Sequence, residues 1–337
     1  MKNTSIFFCL TLFVFSYIDA SPSVVIVGGG PTGLASAIQA HLLEAEVTVI
    51  EKRNVYTRKN LLFLHESSLS LLEKWQIEVP GMLILDLKGQ RKGFVLIKYL
   101  EEALAQKARE LGITFLEGEF ENFVTNEKAL SIFTSQERIL LPYDVAIGAD
   151  GIHSSVREKL GIDCFLQGEA IGAMAVIPGI HPPGKVDVER KDTSDFFAKN
   201  IQTPSTNIIL TQNHPDTPIS QLSQKELVNL CLMANWNEEA SLLERDILLL
   251  IDNIPIRLQQ AARFSDKNQG VLLLGDAAGC TSFFEGQGVN TAMATSEFIA
   301  DFIKNFESNP EFAYANFEQL MQETIGSVIQ KNQYLFH

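Results

Sequence analysis

Apolar residues along this chain repeat with two different periods, and their order predicts an architecture before any single side chain is considered. The β-branched runs at 24–27 and 47–50 lack polar alternation, the mark of strands buried on both faces of a parallel sheet. Between them, 31–44 carries alanine and leucine at helical spacing, which completes a βαβ unit. Helical spacing returns at 67–75 and at 96–111, the second stopping at Gly112. Strands are predicted at 113–117, 120–125, 129–134 and 138–141, the last three alternating as in a small antiparallel meander, and 143–147 returns to the parallel sheet. From 165 to about 264 the pattern is mixed. Pro178, Pro182, Pro183, Pro204, Pro215 and Pro218 interrupt strand-like runs, and helices are predicted near 224–234 and 242–251. A buried strand at 271–274, a glycine-rich turn and a helix from about 289 to 306 follow. The predicted class is α/β: a discontinuous parallel-sheet domain over 22–164 and 265–337, with a mixed-sheet domain at 165–264 inserted.

The first residues depart from this pattern. Met1 and Lys2 precede an apolar run over 6–18, followed by Asp19, Ala20 and Ser21, the charged, apolar and small-residue order of a secretory signal. Its 13 residues fall short of the ~20 that span a bilayer as a helix. Residues 1–21 are therefore expected to be a signal or an N-terminal membrane anchor of an exported or membrane-associated protein. The alternatives are a misassigned start or an extension packed on the protein, either of which leaves it cytoplasmic. Beyond Cys9 the cysteines number three (Cys164, Cys231 and Cys280), with no Cys-x-x-Cys, so neither a disulfide framework nor a zinc site is expected. The net charge of −14 repels nucleic acid and anionic membrane surfaces, which excludes both as the main partner. Two cationic groups, Lys52-Arg53 with Arg58-Lys59 and Lys88 with Arg91-Lys92, fit solvated faces or phosphate contacts.

Chemistry enters at the first strand-to-helix turn. Gly28-Gly29-Gly30-Pro31-Thr32-Gly33 has the G-x-G-x-x-G spacing. The first glycine permits the turn, the second lets a pyrophosphate approach the backbone, and the third lets helix and strand pack closely. The helix N-terminus offers unpaired N–H groups to the anion. Glu51 ends the second strand, placed to accept hydrogen bonds from an adenosine ribose, with Lys52 and Arg53 beside it. This combination predicts a dinucleotide site and leaves the choice between FAD and NAD open.

Two later segments carry a resemblance that makes the choice. Asp150-Gly151-Ile152-His153-Ser154-Ser155-Val156-Arg157 resembles the D-G-x-x-S-x-x-R motif of FAD-dependent aromatic hydroxylases, the family of para-hydroxybenzoate hydroxylase and kynurenine 3-monooxygenase. Gly275-Asp276-Ala277-Ala278, continuing to Gly286-Gln287-Gly288-Val289-Asn290, resembles the same family's G-D-A-A to G-Q-G-x-N segment. The resemblance covers roughly 24–306, weakly through the insertion. It implies a Rossmann-like FAD-binding domain with an inserted mixed-sheet substrate domain. It also implies FAD as cofactor, NADPH or NADH as transient electron donor, and O2 acting with a small organic substrate that is hydroxylated through a flavin C4a-hydroperoxide. Asp150 and Gly151 would then serve the FAD pyrophosphate and the NAD(P)H path. Asp276 would hold the ribityl chain, and the helix opening at Gly286 would stabilise negative charge on the reduced flavin.

Arg58 lies in a stretch that faintly resembles the actin-oxidising MICAL monooxygenases and is a further flavin or pyrophosphate candidate. Lys98 stands where the family usually has an arginine facing the pyrophosphate. The chain departs from the family pattern at Gly279, Phe283 and Thr295-Ser296, and Phe283 with Phe284 would reshape the space before the flavin. No residue emerges as acid or base: His153 fits a motif spacer and Cys280 a buried apolar position. Two rivals remain at this point, a flavin reductase or dehydrogenase without oxygen insertion, and a non-catalytic module of the Rab-escort type.

Overall fold

The run from Val24 to Val27 is at most 6% exposed, as a strand without polar alternation must be. In a computed structural model that describes residues 21–337 apart from 88, 181, 183–185, 194, 204, 215–216, 218–220 and 337, this run forms β1 (Ser23–Val27). With α1 (Pro31–His41) and β2 (Glu46–Glu51) it makes the expected βαβ unit. The signal or anchor expected at residues 1–21 falls, but for Ser21, outside the described residues, as does Lys88. There follow β3 (Leu61–Leu64), α2 (Glu66–Lys74), a hairpin of β4 (Leu83–Leu87) and β5 (Gln90–Leu96), and α3 (Ile97–Glu110). Then come β6 (Thr114–Glu117), the meander β7 (Glu119–Val124), β8 (Ala129–Phe133) and β9 (Arg138–Pro142), β10 (Val145–Gly148) and the short α4 (Ser155–Lys159). A second large sheet is built from β11 (Cys164–Pro178), β12 (Asp187–Asp192), β13 (Phe196–Gln202) and β14 (Thr206–Asn213). After α5 (Gln224–Met233) and α6 (Asn237–Arg245), β15 (Leu249–Ala261) returns to it. The chain closes with β16 (Ser265–Asp266), β17 (Val271–Leu273), β18 (Gly279–Cys280), α7 (Gln287–Phe306) and α8 (Pro310–Asn332).

The first sheet has the order β16-β17-β10-β1-β2-β6 and is parallel except at β16. Its strand ends at Val27, Glu51 and Gly148 open toward one edge, where ligands of doubly wound sheets bind. The second sheet is antiparallel, in the order β12-β13-β14-β11-β15-β18. Side-chain alternation gives it two apolar faces. Phe196, Ala198 and Ile209 pack with α5 and α6, while Phe197, Ile201, Ile208 and Leu210 join the core of the first sheet. The second sheet therefore forms a wall in front of the nucleotide-binding edge.

Three stretches differ from the sequence pattern. The helix predicted over 242–251 ends at Arg245, and Leu249, Leu250 and Ile251 pair with Val176, Ala175 and Met174 as strand. A short apolar run suits either period, and here a long neighbouring strand with open hydrogen-bonding groups decides. The sheet β3-β5-β4 was not predicted, and neither was α8. Among the described residues no helix is long and apolar enough to cross a membrane.

Candidate functional site

The glycines of the first turn have separate physical reasons. Gly28 has φ +110°, and a Cβ there would stand 2.4 Å from the Ala149 carbonyl oxygen; one on Gly33 would stand 1.9 Å from the Gly28 oxygen. Those two are fixed by backbone packing. A Cβ on Gly30 would meet only Arg58 Nη2 at 3.6 Å and Glu101 Oε1 at 4.0 Å, so Gly30 keeps space clear in front of the turn. α1 begins there with Pro31 first and no side-chain cap, which leaves its opening N–H groups for an anion.

At the end of β2, Glu51 departs from the expected free ribose acceptor. Its Oε2 accepts from Gly29 N and Arg53 Nη2, and its Oε1 from Arg53 N and Arg53 Nε, all at 2.9 Å. Those bonds fill the four acceptor positions of a carboxylate, so a ribose hydroxyl reaches Glu51 only by displacing part of the Arg53 fork. Burial works to raise the Glu51 carboxyl, but the Arg53 hydrogen bonds outweigh it and hold the group below its usual range. Lys52 pairs with Glu119 at 3.2 Å on the rim.

Arg58 occupies the centre of the site. Its guanidinium is hydrogen-bonded to Glu101, a fully buried carboxylate of α3, and borders both large cavities described below. Burial pushes the Glu101 carboxyl up, against the pull of Arg58. Lys98 is corrected: its ammonium rests 4.5 Å from the Tyr99 ring centroid, and it lines neither cavity. The cation facing Gly30 is Arg58. Glu101 was missed in the sequence, although a glutamate on the buried side of α3, beside Leu100 and Leu104, was a visible signal.

Asp150 and Arg157 do not pair with each other. Asp150 Oδ2 accepts from Val156 N at 3.1 Å, helping to start α4, while its Oδ1 is buried without a partner. Arg157 donates to the carbonyls of Ala277 (2.8 Å) and Ile152 (3.0 Å), tying the Asp150 loop to the Asp276 turn. Asp276 faces the cleft with an exposed surface although protein surrounds it, and that enclosure raises its carboxyl while Arg58 opposes the rise.

At the start of α7, Gly286 adopts φ +68° and packs against Phe63; a Cβ on Gly288 would meet nothing within 4 Å, and Gly288 and Val289 line the cavity. Asn290 is corrected from ligand to brace. Its Oδ1 accepts from His65 N and Ser68 Oγ, and its Nδ2 donates to the carbonyls of Phe63 and Gly286, which uses the whole amide. Gln287 turns to a side recess beside His65 and Lys199.

These elements enclose two cavities that meet. One, of about 430 Å³, runs past Gly28, Glu51, Lys52, Arg53, Asp150 and His153. The other, of about 250 Å³, runs past Pro31, Thr32 and Val289 to an apolar wall of Met174, Ile201, Ile208 and Leu210 from the second sheet. Gly30, Arg58, Ala149, Gly151 and Asp276 border both, so the two form one elongated space with the clear glycine at its waist. A polar end, an anion-binding waist with one arginine, and an apolar end fit FAD, and the orphaned Asp150 Oδ1 and Thr281 Oγ1 at its borders are polar atoms that await a partner.

The three departures also have local causes. A side chain at Gly279 would stand 2.7 Å from Ile325 of α8, and Phe283 lies over Gly172, where a Cβ would be 2.5 Å from its ring. Thr295 and Ser296 are fully buried, their hydroxyls donating to the carbonyls of Ala292 and Met293. Cys280 is buried with Sγ 3.3 Å from the Arg257 carbonyl, and burial pushes its thiol well above the ordinary range, away from thiolate chemistry.

Similarity to known proteins agrees with this geometry. Digeranylgeranylglycerophospholipid reductase of Methanothrix thermoacetophila is 24% identical over 360 residues, covering 92% of this chain and 85% of that protein. The F-actin monooxygenase Mical of Drosophila melanogaster is 54% identical over 41 residues, only 12% of this chain and 1% of that protein. The solved structure of pqsL, a probable FAD-dependent monooxygenase from Pseudomonas aeruginosa, superposes with a TM-score of 0.73 at 15% identity, over 93% of this chain and 95% of that one. The family model of the FAD binding domain matches residues 74–300, which takes in the Asp150 and Asp276 segments and begins after the glycine turn. With more than half of its length matched, the chain belongs to the FAD binding domain family.

Proposed function

We propose that this protein is an FAD-dependent monooxygenase that oxidises a small organic substrate with electrons from NADPH or NADH. The observation that carries the reading is the joined cavity, whose dinucleotide-binding end opens directly into an apolar chamber walled by a second sheet. FAD, when bound, supplies two-electron redox chemistry and, reduced, reactivity toward O2. The chain's own part is positional. The α1 N-terminus and Arg58 would hold the pyrophosphate, Asp276 would accept from ribityl hydroxyls, and the uncapped N-terminus of α7 would favour negative charge on the bound group. Met174, Ile208 and Leu210 keep the chamber apolar and exclude water from it. A turn of the same kind for a nicotinamide nucleotide is not repeated in the sequence, which favours transient binding of the donor in the cleft.

A second reading, a reductase without oxygen insertion, is favoured by Phe283, which narrows the chamber, and by the similarity to a lipid reductase. The deciding experiment follows NAD(P)H consumption by the holoprotein against phenols, quinones and lipids under labelled O2. Label entering product at one atom per NAD(P)H supports the monooxygenase. NAD(P)H consumed with reduced, unlabelled product moves the function to the reductase.

A further inference from the structure

β12 and β13 set two cations directly opposite each other: Arg190 pairs with Lys199 across the ladder. Like charges facing in this way destabilise a sheet unless something neutralises them. Strand alternation turns both into a recess of about 290 Å³ that shares Phe63 and Ile201 with the apolar chamber. One carboxylate, Glu285, answers both cations, at 2.7 Å from Arg190 and 3.1 Å from Lys199, and the Lys199 side chain is only 5% exposed. A third cation, Lys92, lines the same recess and makes no ion pair among the described residues; its ammonium lies 5.7 Å from the Phe63 ring centroid. His65 adds no charge at neutral pH, because burial and Lys92 push it down to about 4. Three cations thus line the recess with one carboxylate, Glu285, while Glu66 acts on Lys92 from outside the lining, in a chain whose net charge is −14. Burial holds the ammonium groups of both Lys92 and Lys199 below the usual lysine range, a cost that a bound anion would relieve.

We propose that this recess seats the carboxylate or phosphate head of an amphipathic organic substrate whose apolar body lies in the adjoining chamber. The inference rests on the reading of that chamber as the flavin and substrate site. Met174, Ile208 and Leu210 give the body an apolar wall, and the head's charge is met by side chains that otherwise lack enough counter-charge. A neutral substrate would leave that imbalance in place.

The test uses holoprotein near pH 7 and three probes of one size: 2-naphthoate, 2-naphthyl phosphate and neutral 2-naphthol, with binding followed by dialysis and by the visible flavin spectrum. At least one anion should bind roughly tenfold or more tightly than 2-naphthol, the scale of a charge-assisted contact. Lys92→Gln and Lys199→Met should each remove most of that preference with FAD retention unchanged. Lys92→Gln keeps the test decisive if loss of the buried Lys199 prevents folding. Equal affinity for anion and naphthol, no saturable anion binding, or a preference that survives Lys92→Gln would overturn the proposal. So would variants that lose affinity for NADPH and not for the naphthyl anions, since the recess would then serve the electron donor. Wild-type protein that retains no FAD is a separate outcome, visible before any probe is added, and would remove the chamber reading and this inference with it.

Discussion

Gly28, Gly30 and Gly33 are interchangeable letters in the sequence, and the structure gives them opposite responses to substitution. A methyl group at Gly33 collides with the Gly28 carbonyl at 1.9 Å, whereas the nearest atom to one at Gly30 is an arginine nitrogen 3.6 Å away. Gly30→Val should therefore fold with a near-native melting temperature and lose most of its FAD. Gly33→Ala should lose the fold itself. The flavin-to-protein absorbance ratio and a melting curve on each variant separate the two, and a Gly30→Val protein that keeps its flavin would show that the pyrophosphate lies elsewhere. At this scale the sequence pointed to Arg58, Gly151 and Asp276, which the structure brings together at the border of both cavities. It could not show whether a polar group was still free. Glu51 and Asn290 both fit a ligand role by motif, yet protein donors and acceptors already occupy them.

The elements around the site depend on such spent groups. Asn290 ties the opening of α7 to β3 and to the first residues of α2 through four hydrogen bonds of 2.6–2.7 Å. Asn290→Ala would remove the acceptor of the His65 N–H and the Ser68 hydroxyl and the donor to the Phe63 carbonyl, a loss of about 2–4 kcal/mol. A urea titration should show the midpoint falling accordingly, with FAD released as α7 loosens; an unchanged midpoint would mean that the brace is dispensable. The βαβ unit, the meander and α3 were legible because their periods run uninterrupted over whole elements. β15 was not, since an apolar run such as 249–251 suits helix and strand alike until β11 lies beside it. β3, β4 and β5 escaped for a related reason: β4 is an edge strand with both faces partly exposed, so it lacks a clean alternation.

Across the whole molecule, stability should carry the signature of the partly buried His65, which stands where β3, α7 and the charged recess meet. Burial, with Lys92 beside it, depresses its folded pKa from 6.5 to about 4. Between those values the unfolded chain binds the proton and the folded one does not, so stability is lost as pH falls through this window. The melting temperature should drop between about pH 6.5 and pH 5, above the range where ordinary carboxylates titrate, and His65→Gln should flatten that slope. An identical slope in the variant would assign the effect to other groups. The sequence by itself determined the nucleotide-binding half of this protein, because a tight turn, a buried strand and a pyrophosphate impose local spacings that survive in one dimension. Only the tertiary structure decided how the second sheet faces that edge, that Arg58 and not Lys98 looks onto Gly30, and that Arg190, Lys199 and Lys92 converge on one recess. Apart from the Arg190–Lys199 pair of neighbouring strands, those contacts join residues tens to hundreds of positions apart, and no local periodicity encodes a meeting that packing alone brings about.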